Sequence, residues 1–288
     1  MNVKEVVSTI IRFTEVSPFP EGKTCDILIS GSWDQEVTRI GSTFMATVDV
    51  IRRAIEEKVD FLITHEPTWF TGRDDDSWVR EDPVFLEKKK LLEDSGIALW
   101  RFHDYMHFAT EDGIYRGFDR ETGWRFYRLP PAPPAEQIMP GIRFDGCYEI
   151  PETTLAGLAA FLQKTFRMPY MRYIGDPQMP VRRVGVLPGG GSLGLGVEQM
   201  PMQLMFRRNL DVLLCGDLTE WTLPAYVRDA VQLGMCRAIL VLGHERSEEP
   251  GMKHLGAWLS RSLPEIPVVF LDSEEPFGTF HQDLEKED

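Results

Sequence analysis

The chain has 288 residues, of which 43% are hydrophobic, and it carries a formal net charge of −14. This is enough apolar material for one large domain or two small ones. The acidic balance argues against a nucleic-acid partner, because binding to a phosphate backbone requires clustered Lys and Arg side chains.

The amino-terminal segment is predicted to form an amphipathic helix, with apolar residues at Val3, Val6, Val7 and Ile10. Lys4 and Glu5 interrupt it before a uniform apolar run develops, which argues against a signal peptide. The four cysteines lie far apart without C-x-x-C spacing, which indicates free thiols in a reducing compartment. No stretch is apolar enough to span a membrane, so we expect a cytoplasmic protein.

Three short apolar segments follow the same local pattern: each reads as a buried strand and ends at a histidine. They are 60–64 before His65-Glu66, 97–102 before His103, and 238–243 before His244-Glu245. Each is preceded by a segment with helical spacing of its apolar residues, at 47–57, 84–93 and 225–233. Alternating helices and buried strands predict an α/β protein with a mostly parallel sheet. Because ligands bind beyond the carboxyl ends of such strands, the three histidines are expected to converge.

The middle of the chain is predicted to form a second α/β lobe inserted into the first. A proline-rich segment at 129–134 reads as a linker, and beyond it come a helix at 153–165 and strands at 181–187 and 212–215. We therefore predict a metal-binding lobe made of 1–128 with 236–288, and an inserted lobe at 135–235. The glycine stretch 189–194 fits G-x-G-x-x-G, but it lacks a suitably placed ribose-binding carboxylate and is read as a tight turn.

Imidazole and carboxylate side chains meet at the predicted strand ends. His65, His103, His107 and His244 account for four of the six histidines in the chain, and acidic residues lie beside them. A mixed site of this kind suits Zn, Mn, Fe or Co, and a bridging carboxylate lets it hold two ions. Two such ions can activate water and polarise a substrate, as in metal-dependent hydrolases. The alternative is that these polar residues cap neighbouring helices or face solvent.

The same residues lie in sequence motifs that resemble a known family. The segment 64–70 (THEPTWF) resembles the T-H-H-P-L-x-F signature of the NGG-interacting-factor-three-like family, whose members are often named GTP cyclohydrolase I type-two homologues. The segment 103–107 (HDYMH) resembles that family's H-T-N-L-D motif, and 243–248 (GHERSE) resembles its G-H-Y-x-T-E motif. Supporting stretches at 37–40, 184–192 and 215–217 follow in the same order, so the resemblance covers nearly the whole chain.

The resemblance implies a centre of two divalent metal ions (Zn, Fe, Mn or Co) held by five residues. Carried over position by position, these ligands are His65, Glu66, His107, His244 and Glu248. Glu66 stands where the family has histidine and His107 where it has aspartate, so the exchange preserves three imidazoles and two carboxylates. Glu248 follows His244 by one helical turn and is the better bridging candidate. His103 is expected to orient a ligand or to contact the substrate.

Three functional hypotheses remain open at this stage. The first is a metal-dependent hydrolase acting on a small molecule, although no residue pattern here forms a recognisable guanine pocket. The second is a non-enzymatic oligomeric protein that binds metal or ligand or serves as an adaptor. The third is a relative that has lost its metal. The resemblance also implies a homo-oligomer, specifically a toroidal hexamer.

Overall fold

Two five-stranded sheets organise the molecule. The computed structural model describes residues 1–131 and 146–280. The first sheet has the order β1-β4-β3-β2-β10. Its strands are β1 (Leu28–Ser30), β2 (Ile40–Thr43), β3 (Phe61–Thr64), β4 (Ala98–Arg101) and β10 (Val268–Phe270). The four strands β4, β3, β2 and β10 run parallel, and only the edge strand β1 pairs antiparallel.

The second sheet has the order β5-β7-β8-β9-β6. Its strands are β5 (Cys147–Thr154), β6 (Arg172–Ile174), β7 (Pro180–Leu187), β8 (Val212–Cys215) and β9 (Ala238–Val241). The central strands β7, β8 and β9 are parallel, and both edge strands are antiparallel. Every residue of β8 is buried, as expected for a strand covered on both faces.

Ten α-helices surround the sheets within the described residues. They are α1 (Val3–Thr14), α2 (Val48–Glu56), α3 (Pro83–Ser95), α4 (Asp104–His107), α5 (Gly113–Thr122), α6 (Leu155–Thr165), α7 (Met200–Arg207), α8 (Leu223–Gln232), α9 (His244–Lys253) and α10 (Leu255–Leu259). Helices α2 and α6 begin where threonine hydroxyls accept a backbone N–H in the first turn, at Thr47 and Thr154. Short 3-10 turns occupy Trp124–Tyr127 and Gly189–Leu193.

The mixed α/β class predicted from the sequence is confirmed, but one strand lies in a different sheet from the one expected. Ala238–Val241 was placed with the first lobe, whereas it pairs with β8 and β6 in the second sheet. The prediction that the metal site lies only at strand ends of the first lobe is therefore wrong, because His244 follows a strand of the second sheet. Half of the predicted linker, residues 132–134, and the acidic residues at 283–288 lie outside the described residues.

The core is divided between the faces of the two sheets. Trp100 and Phe102 are buried beneath α1 and α10 in the first sheet, and Tyr148 lies in the largest cluster of the second sheet. Within residues 1–131 and 146–280, no helix is both long enough and apolar enough to cross a membrane.

Candidate metal centre

The predicted ligands meet in a cleft between the two sheets. His65 and Glu66 directly follow β3, and His244 begins α9 three residues after the end of β9. All of the predicted site residues except the fully buried His65 line one cavity of about 590 Å³; they are Glu66, His103, His107, His244 and Glu248. The site therefore draws its side chains from both sheets.

His65 presents an unsatisfied nitrogen in the floor of this cleft. Its Nδ1 donates to the Phe102 carbonyl oxygen at 3.0 Å. Its Nε2 is buried and has no hydrogen-bond partner among the described residues, and it lies 3.4 Å from Oε2 of Glu248. Buried polar atoms are normally satisfied, so an unpartnered imidazole nitrogen facing a carboxylate fits a metal-binding position. The backbone acceptor on Nδ1 fixes the tautomer that leaves Nε2 free to bind a metal.

His244 repeats this arrangement from the opposite side. Its Nδ1 donates to Oδ2 of Asp217 at 2.8 Å. Its Nε2 lies 3.1 Å from Oε2 of Glu248 and 3.4 Å from Oε1 of Glu66. Glu248 is one turn along α9 and is almost fully buried. As predicted from the spacing, the helix places His244 and Glu248 on the same face.

The short helix α4 brings two more histidines to the cleft. Nδ1 of His103 donates to Asp104 at 2.9 Å, and Nδ1 of His107 donates to Asp112 at 3.0 Å. The His103 ring lies 4.7 Å from that of His65 and 4.8 Å from that of His107, measured between centroids. Nε2 of His103 is 3.9 Å from Oε1 of Glu66. All four histidines thus have an oxygen acceptor on Nδ1.

The position of α4 is fixed by the segment that precedes β1. Asp26 accepts hydrogen bonds from the backbone N–H groups of His103, Asp104 and Tyr105, at 2.8, 2.7 and 2.9 Å. The His103 side chain makes no capping bond of its own, so Asp26 caps this helix from a distant segment. In return, Asp104 accepts from the backbone N–H and the thiol of Cys25, at 3.0 and 3.3 Å.

The electrostatics of the cleft favour bound cations. Burial opposes the charge on Glu248, but the hydrogen bond from His244 and the nearby His65 imidazole together outweigh it and hold its pKa well below the usual value. Burial also opposes the charge on Glu66, but hydrogen bonding to His244 and the nearby His65 and His103 together outweigh it and lower the pKa of Glu66. Burial disfavours a charged His107, but the Asp112 carboxylate reverses the effect and raises its pKa to about 9. The carboxylates of this cleft are therefore stabilised by nearby positive charge, which a protonated imidazole or a metal ion can provide.

The glycine turn is part of this site. Gly189 has a φ of +49°, and a Cβ there would collide with the Glu248 carboxylate and lie 2.7 Å from Nε2 of His244. Its N–H donates to the Ser247 hydroxyl at 3.0 Å. Glycine is therefore required both by the backbone conformation and by the space that the two side chains occupy. The tight turn predicted at 189–194 is observed, although its contact with Glu248 was not foreseen.

Helix α9 is seated closely against α5. A Cβ on Gly117 would collide with the backbone of Pro250 and Gly251. The absence of a side chain at Gly117 lets the two helix backbones approach, which sets the depth at which Glu248 enters the cleft. The remaining residues of α9 up to Met252 are buried, including Glu245 and Glu249.

Four groups of described side chains have the spacing needed to hold a metal ion: two are Cys25, His103 and Asp104, and Glu245, Glu249 and Asp272, and the other two overlap at His65. One is His65, His103 and His107, and the other is His65, Glu66 and Glu248; within each group the candidate ligand atoms lie within 4.8 Å of one another. The structure brings together all five predicted ligands and also His103, whose role as ligand or as orienting residue stays a prediction. Sequence reasoning assigned no role to the orienting carboxylates Asp104, Asp112 and Asp217. Asp104 does stand in the 103–107 motif and Asp217 in the 215–217 turn, so the sequence held a signal for these two.

Comparison with known proteins agrees with this arrangement. A family model described as Duf34/NIF3 (NGG1p interacting factor 3) matches residues 1–276. The chain belongs to the Duf34/NIF3 family. A curated relative from Methanocaldococcus jannaschii, named GTP cyclohydrolase 1 type 2 homolog, is 28% identical over 290 residues and covers 94% of this chain and 100% of its own length. A protein of the same name from Pasteurella multocida is 23% identical over 246 residues, covering 84% of this chain and 87% of its own.

Solved structures share the Duf34/NIF3 fold. The Bacillus cereus protein related to NIF3 superposes with a TM-score of 0.73 at 14% identity, covering 98% of this chain and 99% of the other. This similarity extends over both sheets and shows that their arrangement is that of the family. The family resemblance predicted from the three histidine motifs is confirmed.

Proposed function

We propose that this Duf34/NIF3 protein binds two divalent metal ions in the cleft and is a metal-dependent hydrolase of small molecules. The observation that carries the proposal is the convergence of four Nδ1-anchored imidazoles on two buried carboxylates. Such anchoring on oxygen is the usual arrangement around metal-binding histidines. Oε2 of Glu248 lies 3.4 Å from Nε2 of His65 and 3.1 Å from Nε2 of His244, so this carboxylate could serve two ions, which supports two ions over one.

The residues that would hold the ions are His65, Glu66, His107, His244 and Glu248. Divalent ions in such a site polarise a carbonyl or phosphoryl oxygen and activate water, which is the chemistry of hydrolases. The protein's own contribution is to orient its donors: Asp112 holds the proton on Nδ1 of His107, and Asp217 holds the proton on Nδ1 of His244. Glu66 replaces the family's histidine and His107 replaces its aspartate. The number of imidazoles and carboxylates is unchanged, so this donor set suits the same ions.

The first test is metal content, measured by elemental mass spectrometry on untagged protein after dialysis against each of Zn, Mn, Fe and Co. We expect about two ions per chain, as in other two-metal sites, and a loss of both in His65→Ala and His244→Ala. His254→Ala is the matched control, because His254 pairs with Glu121 outside the cleft. Protein that stays metal-free after every reconstitution would contradict the proposal.

The second test concerns catalysis. The metal-loaded protein is assayed against panels of phosphoesters, nucleotides and cyclic amides, with His244→Ala as the inactive reference. Hydrolysis that requires both His244 and metal supports the enzyme. Retained metal without any turnover would leave the binding or adaptor protein as the function of this site.

We also propose that the chain assembles into a homo-oligomer, as the family resemblance implies for a hexamer. Large apolar side chains are exposed on the second lobe, including Phe206, Trp221 and Leu233, each about three-quarters exposed at 75%, 75% and 74%. Exposed apolar patches commonly mark contacts between proteins. Mass photometry at micromolar concentration tests this proposal, and a purely monomeric distribution would refute it.

A further inference from the structure

The cavity above the metal-ligand cluster has a composition that restricts its substrate. Its polar floor contributes four carboxylates: Glu66, Asp104, Asp112 and Glu248. Neither Lys nor Arg is among the described residues that line it. These four carboxylates would cancel the charge of two divalent ions, so the cleft would offer no surplus positive charge to a polyanion. Sites that bind several phosphates usually add Arg or Lys side chains to the metal.

The glycine turn does not replace the missing cations. Backbone N–H groups of a glycine-rich turn can hold phosphate when they are free to point at it. Here the N–H of Gly189 donates to Ser247, that of Gly191 donates to the Pro188 carbonyl at 2.8 Å, and that of Gly194 donates to the Gly191 carbonyl at 3.0 Å. These amides are already used within the protein. These three amides are therefore not available to a phosphate group.

The upper walls of the cavity are apolar. Phe108 and Leu195 line it and are 58% and 49% exposed, and Leu187 and Pro188 lie deeper along the same wall. Exposed apolar side chains at the mouth of a concave site are available to bury the non-polar part of a ligand. A net charge of −14 on the whole chain further disfavours the approach of anions.

We infer that the substrate of the proposed hydrolase is a small, uncharged acyl compound, such as an amide, lactam or ester, and not a multiply phosphorylated nucleotide. This inference rests on the proposed function. The carbonyl group would face the histidine and carboxylate floor, and an apolar or planar part would rest on Phe108 and Leu195. Hydrolysis consumes one water: its oxygen bonds to the carbonyl carbon, the C–N or C–O bond breaks, and the leaving atom takes a proton from the water.

A matched pair of probes tests the inference by binding. 4-Nitroacetanilide and 4-nitrophenyl phosphate share a nitrophenyl ring but differ in charge, and equilibrium dialysis against metal-loaded protein measures both dissociation constants. We expect the uncharged amide to bind at least about tenfold more tightly. The double variant Phe108→Ala, Leu195→Ala should weaken amide binding by about fivefold or more, through loss of buried apolar surface. Phe126→Ala is the control, because Phe126 is exposed and lies outside this cavity.

The opposite results are equally clear. Tighter binding of the phosphate, or no binding of the amide, would overturn the inference. A second pair, guanosine and GTP, differs only in the triphosphate, and GTP binding tenfold more tightly than guanosine would also overturn it. Metal content is measured on the same samples. Protein without metal refutes the proposed function itself, whereas protein with about two ions per chain that prefers phosphates refutes only the substrate class.

Discussion

Removal of the Asp26 carboxylate is expected to weaken metal binding without touching any proposed ligand. Asp26 accepts three backbone hydrogen bonds at the start of α4, the helix that carries His107 and follows His103. In Asp26→Ala all three N–H groups lose their acceptor. In Asp26→Asn one oxygen remains, while the new amide group opposes a backbone donor. Asp26→Ala therefore removes the whole set of hydrogen bonds, and Asp26→Asn removes part of it.

The magnitude follows from these three bonds. A hydrogen bond of this kind contributes about 1 kcal/mol, so the full loss would approach about 3 kcal/mol. Burial raises the pKa of Asp26, although its three backbone hydrogen bonds lower it. Water can also reach part of this site. We therefore expect Asp26→Ala to lower the free energy of unfolding by about 2 kcal/mol and Asp26→Asn by about 1 kcal/mol.

Competitive titration with a chelator measures the consequence for the site. Loss of groups that orient metal ligands typically reduces affinity by about tenfold to hundredfold, and we expect Asp26→Ala to fall in that range for zinc. Asp229→Ala, on an exposed face of α8, is the matched control and should bind zinc as the wild type does. If Asp26→Ala is destabilised as expected yet binds zinc with unchanged affinity, the reasoning that links the Asp26 cap to the histidines is wrong.

Three further predictions concern the glycine turn, the exchanged ligands and a buried lysine. Gly189→Ala should abolish metal retention measured by elemental mass spectrometry, because its Cβ would displace Glu248; retention at the wild-type level would contradict this geometry. Glu66→His and His107→Asp should each weaken zinc binding, and the double variant should recover most of the loss. Additive losses in this double-mutant cycle would show that the exchange is not compensated. Lys88 is buried, and burial lowers its pKa to about 8. The unfolded chain then binds more protons than the folded chain above that pH. The unfolding free energy of the wild type relative to Lys88→Met should consequently rise by about 3 kcal/mol between pH 8 and 10.5, as read from denaturant titrations, and a flat difference would refute it.

Local patterns in the sequence were sufficient to predict the strands and the histidines at their ends. Phe61–Thr64 and Ala98–Arg101 are fully buried strands, as their apolar composition indicates. The same composition cannot say which sheet a strand joins. Ala238–Val241 resembles the other two in every local respect, and its place beside β8 depends on pairing with residues distant in the sequence. Contacts of this kind are set by the packing of the whole chain.

The ligand types of the site were predictable, but their supporting contacts were not. His244 and Glu248 stand one helical turn apart, which is visible in the sequence. Asp217 lies 27 residues before its partner His244, and Asp26 lies 77 residues before His103. Neither separation follows from a helical or strand period. Their roles emerge only when the loops that carry them are folded against the cleft.

The placement of the cluster between two sheets ties metal supply to the integrity of the whole molecule. His65 follows β3 of the first sheet, whereas Glu248 belongs to α9, the helix that follows β9 of the second sheet. An ion bound to His65 and Glu248 would add its binding free energy to the contact between the two sheets. Under metal starvation the two sheets would separate more readily, and the chain would become accessible to proteases.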